Sequence, residues 1–229
     1  MLRITDARSG EPVDIRPGLT RVHAHVAGAD TSALRVLLVA DALARALELG
    51  GTPVVAVAAP TAVLRARADD LGIRPGEPEA PGVGRVLHVV GAQGTAPDGV
   101  RVEVAPATGP AGADAAAPPS AVRLALLATP RRLPADLGTA ALTEARDTLV
   151  RWRKAVASWA TRPSRPIPER VRRDLRAAWE DDLDVPAVLE VLRRVESADD
   201  IPDGARFETF AHADRLLGLD LTREIGAGP

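Results

Sequence analysis

Residues 52–58 read Thr-Pro-Val-Val-Ala-Val-Ala, an apolar run of strand length. A run without polar alternation is typical of a parallel strand that is covered on both faces. Just before it, residues 32–49 carry leucines and alanines at helical spacing, and Gly50-Gly51 ends the pattern. The stretch therefore predicts a helix that leads into a buried strand of a parallel sheet.

The residues on either side extend this alternation of strand and helix. β-Branched residues in alternation indicate strands, while apolar residues at helical spacing between a proline and a glycine indicate a helix. The elements predicted in this way are a strand over 21–26, a helix over 60–71 and strands over 84–90 and 100–104. Together they predict an α/β domain over residues 1–106.

The second half of the chain has a different composition. Residues 107–119 are mostly Gly, Pro and Ala, which predicts a flexible linker. From residue 120 onward, apolar residues recur at the spacing of helices that pack on neighbours. The clearest seam consists of Leu142, Ala145, Leu149, Trp152, Val156 and Trp159. We therefore expect an all-α bundle over residues 120–229.

The overall composition excludes several classes of function. The formal net charge is −2, so the chain has no general electrostatic attraction for nucleic acid. Cysteine is absent, which excludes disulfides, thiolate catalysis and cysteine-bound metal. No apolar run reaches the roughly 20 residues of a membrane span, and the first residues form no apolar signal-peptide core. We expect a cytoplasmic protein without a membrane partner.

Three segments together resemble a known family. They are Leu2-Arg3-Ile4-Thr5-Asp6 with Arg16-Pro17-Gly18, then residues 119–134, and then residues 177–187. In this order they resemble parts of class I cysteinyl-tRNA synthetases and of their paralogue, the ligase that joins cysteine to a glucosamine-inositol in mycothiol synthesis. The resemblance implies a reduced Rossmann-like domain, followed by a bundle like the region of the synthetases that contacts the tRNA stem and anticodon side.

The catalytic signatures of that family are missing. Its Tyr-Val-Cys-Gly-Pro-Thr string, whose cysteine binds zinc, corresponds to residues 25–30, and Ala27 takes the place of the cysteine. Only Thr31-Ser32-Ala33 occupies the place of the His-Ile-Gly-His signature. Val104 stands where the Lys-Met-Ser-Lys-Ser signature has its second lysine. The resemblance therefore implies a chain with no catalytic residues for aminoacylation, and we expect no zinc cofactor.

The resemblance leaves three functions open. The first is a catalytically degenerate synthetase-like protein that acts as a binding or regulatory module for tRNA, an adenylate-like small molecule or a protein partner. The second is an ATP-dependent ligase with altered chemistry, in which arginines replace the missing histidines and lysines. The third is a structural protein that associates with itself. We expect the first of these.

Candidate ligand contacts lie where the predicted strand 21–26 meets the following helix, because such crossings in α/β sheets form clefts. These residues are Gly28, Asp30, Ser32 and Arg35. His23 and His25 lie two apart on the strand and so share one face of it. No third ligand is near them in the sequence, so we expect them to line the cleft without binding a metal.

A second group of residues is a candidate for RNA contact, because the related region of the synthetases lies near tRNA. It consists of Arg131, Arg132, Arg151 and Lys154. Phosphate contacts need only positive charge at the right place. A solvated helix face explains the same residues better, because Glu144 and Asp147 lie between them in the sequence.

Overall fold

A parallel sheet lies at the centre of the computed structural model, which describes residues 1–79, 82–109 and 117–226. The sheet has four strands in the order β4-β3-β5-β6, and all neighbours are parallel. Its strands are β3 (Thr20–His25), β4 (Val54–Ala58), β5 (Arg85–Gly91) and β6 (Val100–Val104). The predicted α/β character of the first half is confirmed.

Helix α1 (Thr31–Leu49) packs across this sheet and is buried along most of its length. Asp30 caps its first turn; the sequence leaves the cap open among the polar residues 30–32. Gly50 follows its last residue, as the sequence predicts. Helix α2 (Ala62–Asp70) packs against α1 and leads into the segment before β5. The apolar strand β4 is at the edge of the sheet and only partly buried, although its composition predicts a strand covered on both faces.

The two faces of the sheet have different side chains. Val22 and Leu87 are buried on the face that α1 covers. Because side chains alternate along a strand, His23, His25 and His88 belong to the opposite face. This face is therefore polar along the middle of β3 and β5.

Two short strand pairs flank the sheet. Strands β1 (Arg3–Thr5) and β2 (Pro12–Asp14) form an antiparallel hairpin. Strand β7 (Ala107–Thr108) pairs in parallel with β8 (Ala135–Asp136), so the first residues of the predicted linker belong to a strand. Residues 110–116 of that linker lie outside the described residues.

Five helices occur in the described residues of the second half, in agreement with the predicted bundle. They are α3 (Pro119–Leu127), α4 (Thr139–Trp159), α5 (Glu169–Glu180), α6 (Val185–Ser197) and α7 (Asp203–Leu217). The predicted seam of α4 is buried, and Phe210 of α7 packs edge-on against both Trp152 and Trp159. Among the described residues, no helix is both long and apolar enough to cross a lipid bilayer.

The α/β part and the helical part share one core. Helix α1 packs against α7 as well as against the sheet. Between them lies Arg123, which is fully buried and donates hydrogen bonds to the Asp41 carboxylate and to the carbonyls of Leu71 and Leu217. Hydrophobic residues of both parts belong to a single buried cluster.

Candidate functional site

The strand order of the sheet reverses its direction between β3 and β5. Helix α1 leads from β3 to β4 on one side, while β5 lies on the other side of β3. The carboxyl ends of β3 and β5 therefore form the switch point, at which parallel α/β sheets usually bind their ligands. His25 is the last residue of β3 and lies at this position.

Three histidines come together beside the switch point, on the face of the sheet opposite α1. His23 and His88 are direct neighbours across the β3–β5 pair, and His25 lies one step further along the same face. One ring nitrogen from each side chain lies within 4.8 Å of the other two. We call His23, His25 and His88 the histidine cluster.

The sequence alone did not single out His88, because it lies 63 residues from His25. His88 lies within the predicted strand 84–90, and a single polar residue among apolar ones does not indicate a site. Only the pairing of β3 with β5 makes His88 the third member of the cluster.

The hydrogen bonds assign the ring protons. His88 Nε2 lies 3.3 Å from the carbonyl oxygen of Asp98, which can only accept, so this nitrogen carries the proton. His88 Nδ1 therefore has a free lone pair and accepts from His25 Nε2 at 2.9 Å. His23 Nε2 is buried and has no hydrogen-bond partner among the described residues.

Burial lowers the pKa of all three histidines. The positive forms of the neighbouring rings lower the pKa of His23 and His88 further, while the hydrogen bond to Asp98 acts in the opposite direction on His88. The cluster is therefore neutral at neutral pH. Neutral imidazoles are good hydrogen-bond partners and metal ligands.

The start of α1 is occupied by groups of the protein itself. The Asp30 carboxylate accepts a hydrogen bond from the Ala33 amide at 2.8 Å. Ser32 Oγ accepts from the Ala107 amide at 3.1 Å and lies 3.3 Å from its carbonyl oxygen. Gly28 is exposed and has a φ of +82°, so it makes the turn between β3 and α1. A phosphate group at this helix start would meet the negative charge of Asp30.

Arg35 has a structural role instead of the predicted ligand contact. It is 1% exposed, and burial lowers its pKa to about 10. Its two terminal nitrogens donate to five backbone carbonyls, those of Ala105, Pro106, Thr129, Pro130 and Leu133. Arg35 therefore fastens α1 to the end of β6 and to the loop after α3.

The candidate RNA contacts are mostly paired with carboxylates. Arg131 is buried and, together with Arg132, binds the carboxylate of Asp182. Arg151 pairs with Glu196 at 2.8 Å. Lys154 is exposed and makes no ion pair within the described parts of the chain. These four residues do not form a free basic surface.

Comparison with known proteins links part of the chain to cysteine ligases. No protein-family model matches it. It is 38% identical over 107 residues to the L-cysteine:1D-myo-inositol 2-amino-2-deoxy-alpha-D-glucopyranoside ligase of Streptomyces griseus. It is 36% identical over 107 residues to the ligase of the same name from Streptomyces scabiei.

Over that stretch, the chain is similar to cysteine ligases. Each match covers 45% of this chain and 25% of the relative, so the chain spans about a quarter of the length of these relatives. The likeness is distant and partial. It supports the cysteinyl-tRNA synthetase-like relationship that the three sequence segments indicate.

Proposed function

We propose that this chain is a ligase-related protein that binds a ligand at the histidine cluster and does not form an adenylate. One observation carries the proposal: the helix start that would receive a phosphate holds Asp30, while three neutral imidazoles converge beside the switch point. This is the binding or regulatory module that the sequence favours.

The chemistry of adenylation supports the negative half of the proposal. An enzyme that activates a carboxylate with ATP stabilises the triphosphate with cations and with helix N–H groups. Here Asp30 takes the helix N–H, Arg35 is used by carbonyls, and Val104 replaces a lysine of the family signature. The ATP-dependent ligase with altered chemistry would need cations that these positions do not supply.

The pairing of the basic residues argues against tRNA as the ligand. Phosphate contacts require cations that are free to exchange their counterions. Arg131, Arg132 and Arg151 are each within 4 Å of a carboxylate of the same chain. Their charge is neutralised locally, so RNA would have to compete with these pairs.

Cysteine-dependent exchange of pyrophosphate into ATP tests the proposal. We expect no exchange from the purified protein, and no thermal stabilisation by ATP. In the variant Asp30→Ser, serine still caps α1, so we expect a loss of stability below about 1 kcal/mol. Removing the carboxylate should raise the affinity of this helix start for phosphate, measured as stabilisation by inorganic phosphate.

A positive exchange assay would contradict the proposal. Exchange that depends on cysteine and is retained by the His25→Gln variant would identify the chain as an ATP-dependent ligase. Stabilisation of the unaltered protein by ATP, without exchange, would place a nucleotide rather than another ligand in the cleft.

A further inference from the structure

We infer that the histidine cluster is a binding site for one divalent transition-metal ion, with zinc as the best-suited occupant. This inference rests on the proposed binding role of the cluster and names the ligand. From the sequence alone no metal is expected, because no third ligand lies near His23 and His25 along the chain. The structure supplies that partner in His88, on the neighbouring strand.

The three rings offer one donor atom each. His88 is held by the Asp98 carbonyl at its Nε2, which leaves the lone pair of Nδ1 facing His25. His23 offers Nε2, which is buried and unpartnered within the described residues. A backbone carbonyl on the far nitrogen of a ligating histidine is the usual way in which proteins fix the ring that binds a metal.

His25 has to change its protonation pattern when a metal binds. In the structure, its Nε2 donates to His88 Nδ1 at 2.9 Å, so Nε2 carries a proton. Binding moves this proton to Nδ1 and frees the Nε2 lone pair, with no change in net charge. The metal then replaces the proton between His25 and His88.

The geometry requires only small side-chain movements. Three nitrogens at about 2.05 Å from a tetrahedral ion are about 3.3 Å apart. The present nitrogens lie within 4.8 Å of one another, and His25 Nε2 is 2.9 Å from His88 Nδ1. Strands β3 and β5 fix the backbone on both sides, so rotation of the rings is sufficient.

The donor set selects the kind of metal. Imidazole suits zinc and neighbouring transition metals, whereas magnesium and calcium require oxygen ligands. The group has three nitrogens and no carboxylate, which leaves the fourth position of a tetrahedral ion for water or another small donor. His88 and the Nε2 atom of His23 are buried, while His23 and His25 as whole residues are partly exposed.

Two cations lie near the cluster and weaken its attraction for a metal. Arg21 lies close enough to lower the pKa of His23, and Arg8 does the same to His88. Arg8 is neutralised in part by the carboxylate of Asp98, at 3.1 Å. The affinity for a metal therefore depends on the imidazole nitrogens and not on nearby negative charges.

The test is metal titration of the full chain after dialysis against a chelator. We expect one zinc ion per chain by calorimetry. With Co²⁺ as the probe, we expect the intense visible absorption of a tetrahedral ion. The variants His25→Gln and His23→Gln should each weaken zinc binding by at least about 100-fold, because removal of an outer hydrogen-bond partner alone costs about 10- to 100-fold.

The fourth histidine provides a matched control. His212 is on α7 against Trp179, away from the cluster, and His212→Gln should bind zinc as the unaltered protein does. Absence of stoichiometric zinc binding would overturn the inference. So would equal losses in His25→Gln and His212→Gln, because these would indicate unspecific binding.

Nitrogen NMR of the histidine rings gives an independent measurement. On addition of zinc, we expect the ring proton of His25 to move from Nε2 to Nδ1, while His88 keeps its proton on Nε2. A cluster with a purely structural role would show no such exchange. Unchanged ring signals at saturating zinc would contradict the inference even if zinc bound elsewhere.

The metal titration and the pyrophosphate exchange assay test the two proposals independently. A chain that binds no metal and also shows no cysteine-dependent exchange contradicts only the metal inference. A chain that binds zinc and also exchanges pyrophosphate contradicts the proposal that it forms no adenylate, but not the metal site.

Discussion

At the scale of single residues, the segments that carry the family resemblance supply the buried ionic contacts of the fold. Arg123 and Arg131 belong to the segment 119–134, and Asp182 belongs to the segment 177–187. Arg131 and Asp182 join the loop after α3 to the turn before α6, and the Thr5 amide donates to the same carboxylate. The segments that carry the resemblance therefore lie where secondary-structure elements contact one another.

Asp182 and Leu183, in the turn before α6, have a strained backbone conformation. Both have positive φ values, 55° and 57°, which are unusual for residues other than glycine. The contacts of the Asp182 carboxylate and the burial of Leu183 hold this conformation in place. The motif needs these residues for a turn, and this need is independent of catalysis.

Replacement of Arg123 by methionine should strongly destabilise the protein. It removes the one fully buried cation that pairs with Asp41 among the described residues and leaves the more exposed Arg45 and Arg74 on this carboxylate. It also removes the bonds to the carbonyls of Leu71 and Leu217. Loss of one partner of a buried ion pair costs about 3–5 kcal/mol. Urea unfolding of Arg123→Met measures this loss.

The control for Arg123 is Arg193→Met. Arg193 pairs with Glu190 on the exposed side of α6, and such a pair contributes less than about 1 kcal/mol. If both variants lost the same stability, the buried ion pair of Arg123 with Asp41 would contribute no more than an exposed pair.

At the scale of elements, α1 connects the parts of the fold. The sequence predicts its span closely, because apolar periodicity, an N-terminal cap and a terminal glycine agree. The elements that pack against α1 could not all be predicted from the sequence. The pair β7 and β8 has only two residues in each strand, so no periodic pattern announces it.

The start of α7 provides a test of packing between elements. A Cβ atom at Gly204 would overlap the carbonyl oxygen of Pro163, within the turn that joins α4 to α5. In a helix, alanine is normally more stable than glycine. Here, however, its methyl group must push the start of α7 away from the turn between α4 and α5. We expect Gly204→Ala to lose about 1–3 kcal/mol in urea unfolding.

Gly91→Ala is the matched control for this packing test. A Cβ at Gly91 would meet Val36 at 3.8 Å, which is an ordinary contact. We expect a change below about 1 kcal/mol at this position. A Gly204→Ala variant as stable as Gly91→Ala would show that the turn yields to the methyl group without cost.

At the scale of the whole molecule, the two predicted parts pack as one body. The buried cluster runs through both, and Arg35 and Arg123 tie α1 to residues of the helical half. A chain with one core unfolds in one cooperative step, although the sequence suggests two parts and a linker.

Coincident unfolding curves test this continuity. All three tryptophans, Trp152, Trp159 and Trp179, lie in the helical half, so fluorescence follows that half alone. Circular dichroism follows the helices of both halves. We expect the two signals to have the same urea midpoint. Separate midpoints would mean that the α/β part unfolds on its own.

The sequence by itself determined the succession of the four sheet strands and the helices, the end of α1 at Gly50 and the absence of cysteine chemistry. These features depend on local propensity and on hydrophobic periodicity, which act between residues close along the chain. It also indicated the relationship to cysteine ligases, because the order of short motifs is a property of the sequence.

Only the tertiary structure decided the nature of the candidate site. The pairing of β3 with β5 brought His88 to His23 and His25, and the contacts of Arg35 removed that residue from the cleft. Both outcomes depend on which strands and loops become neighbours in space. The free energy of that choice is spread over the whole core, so no local pattern in the sequence records it.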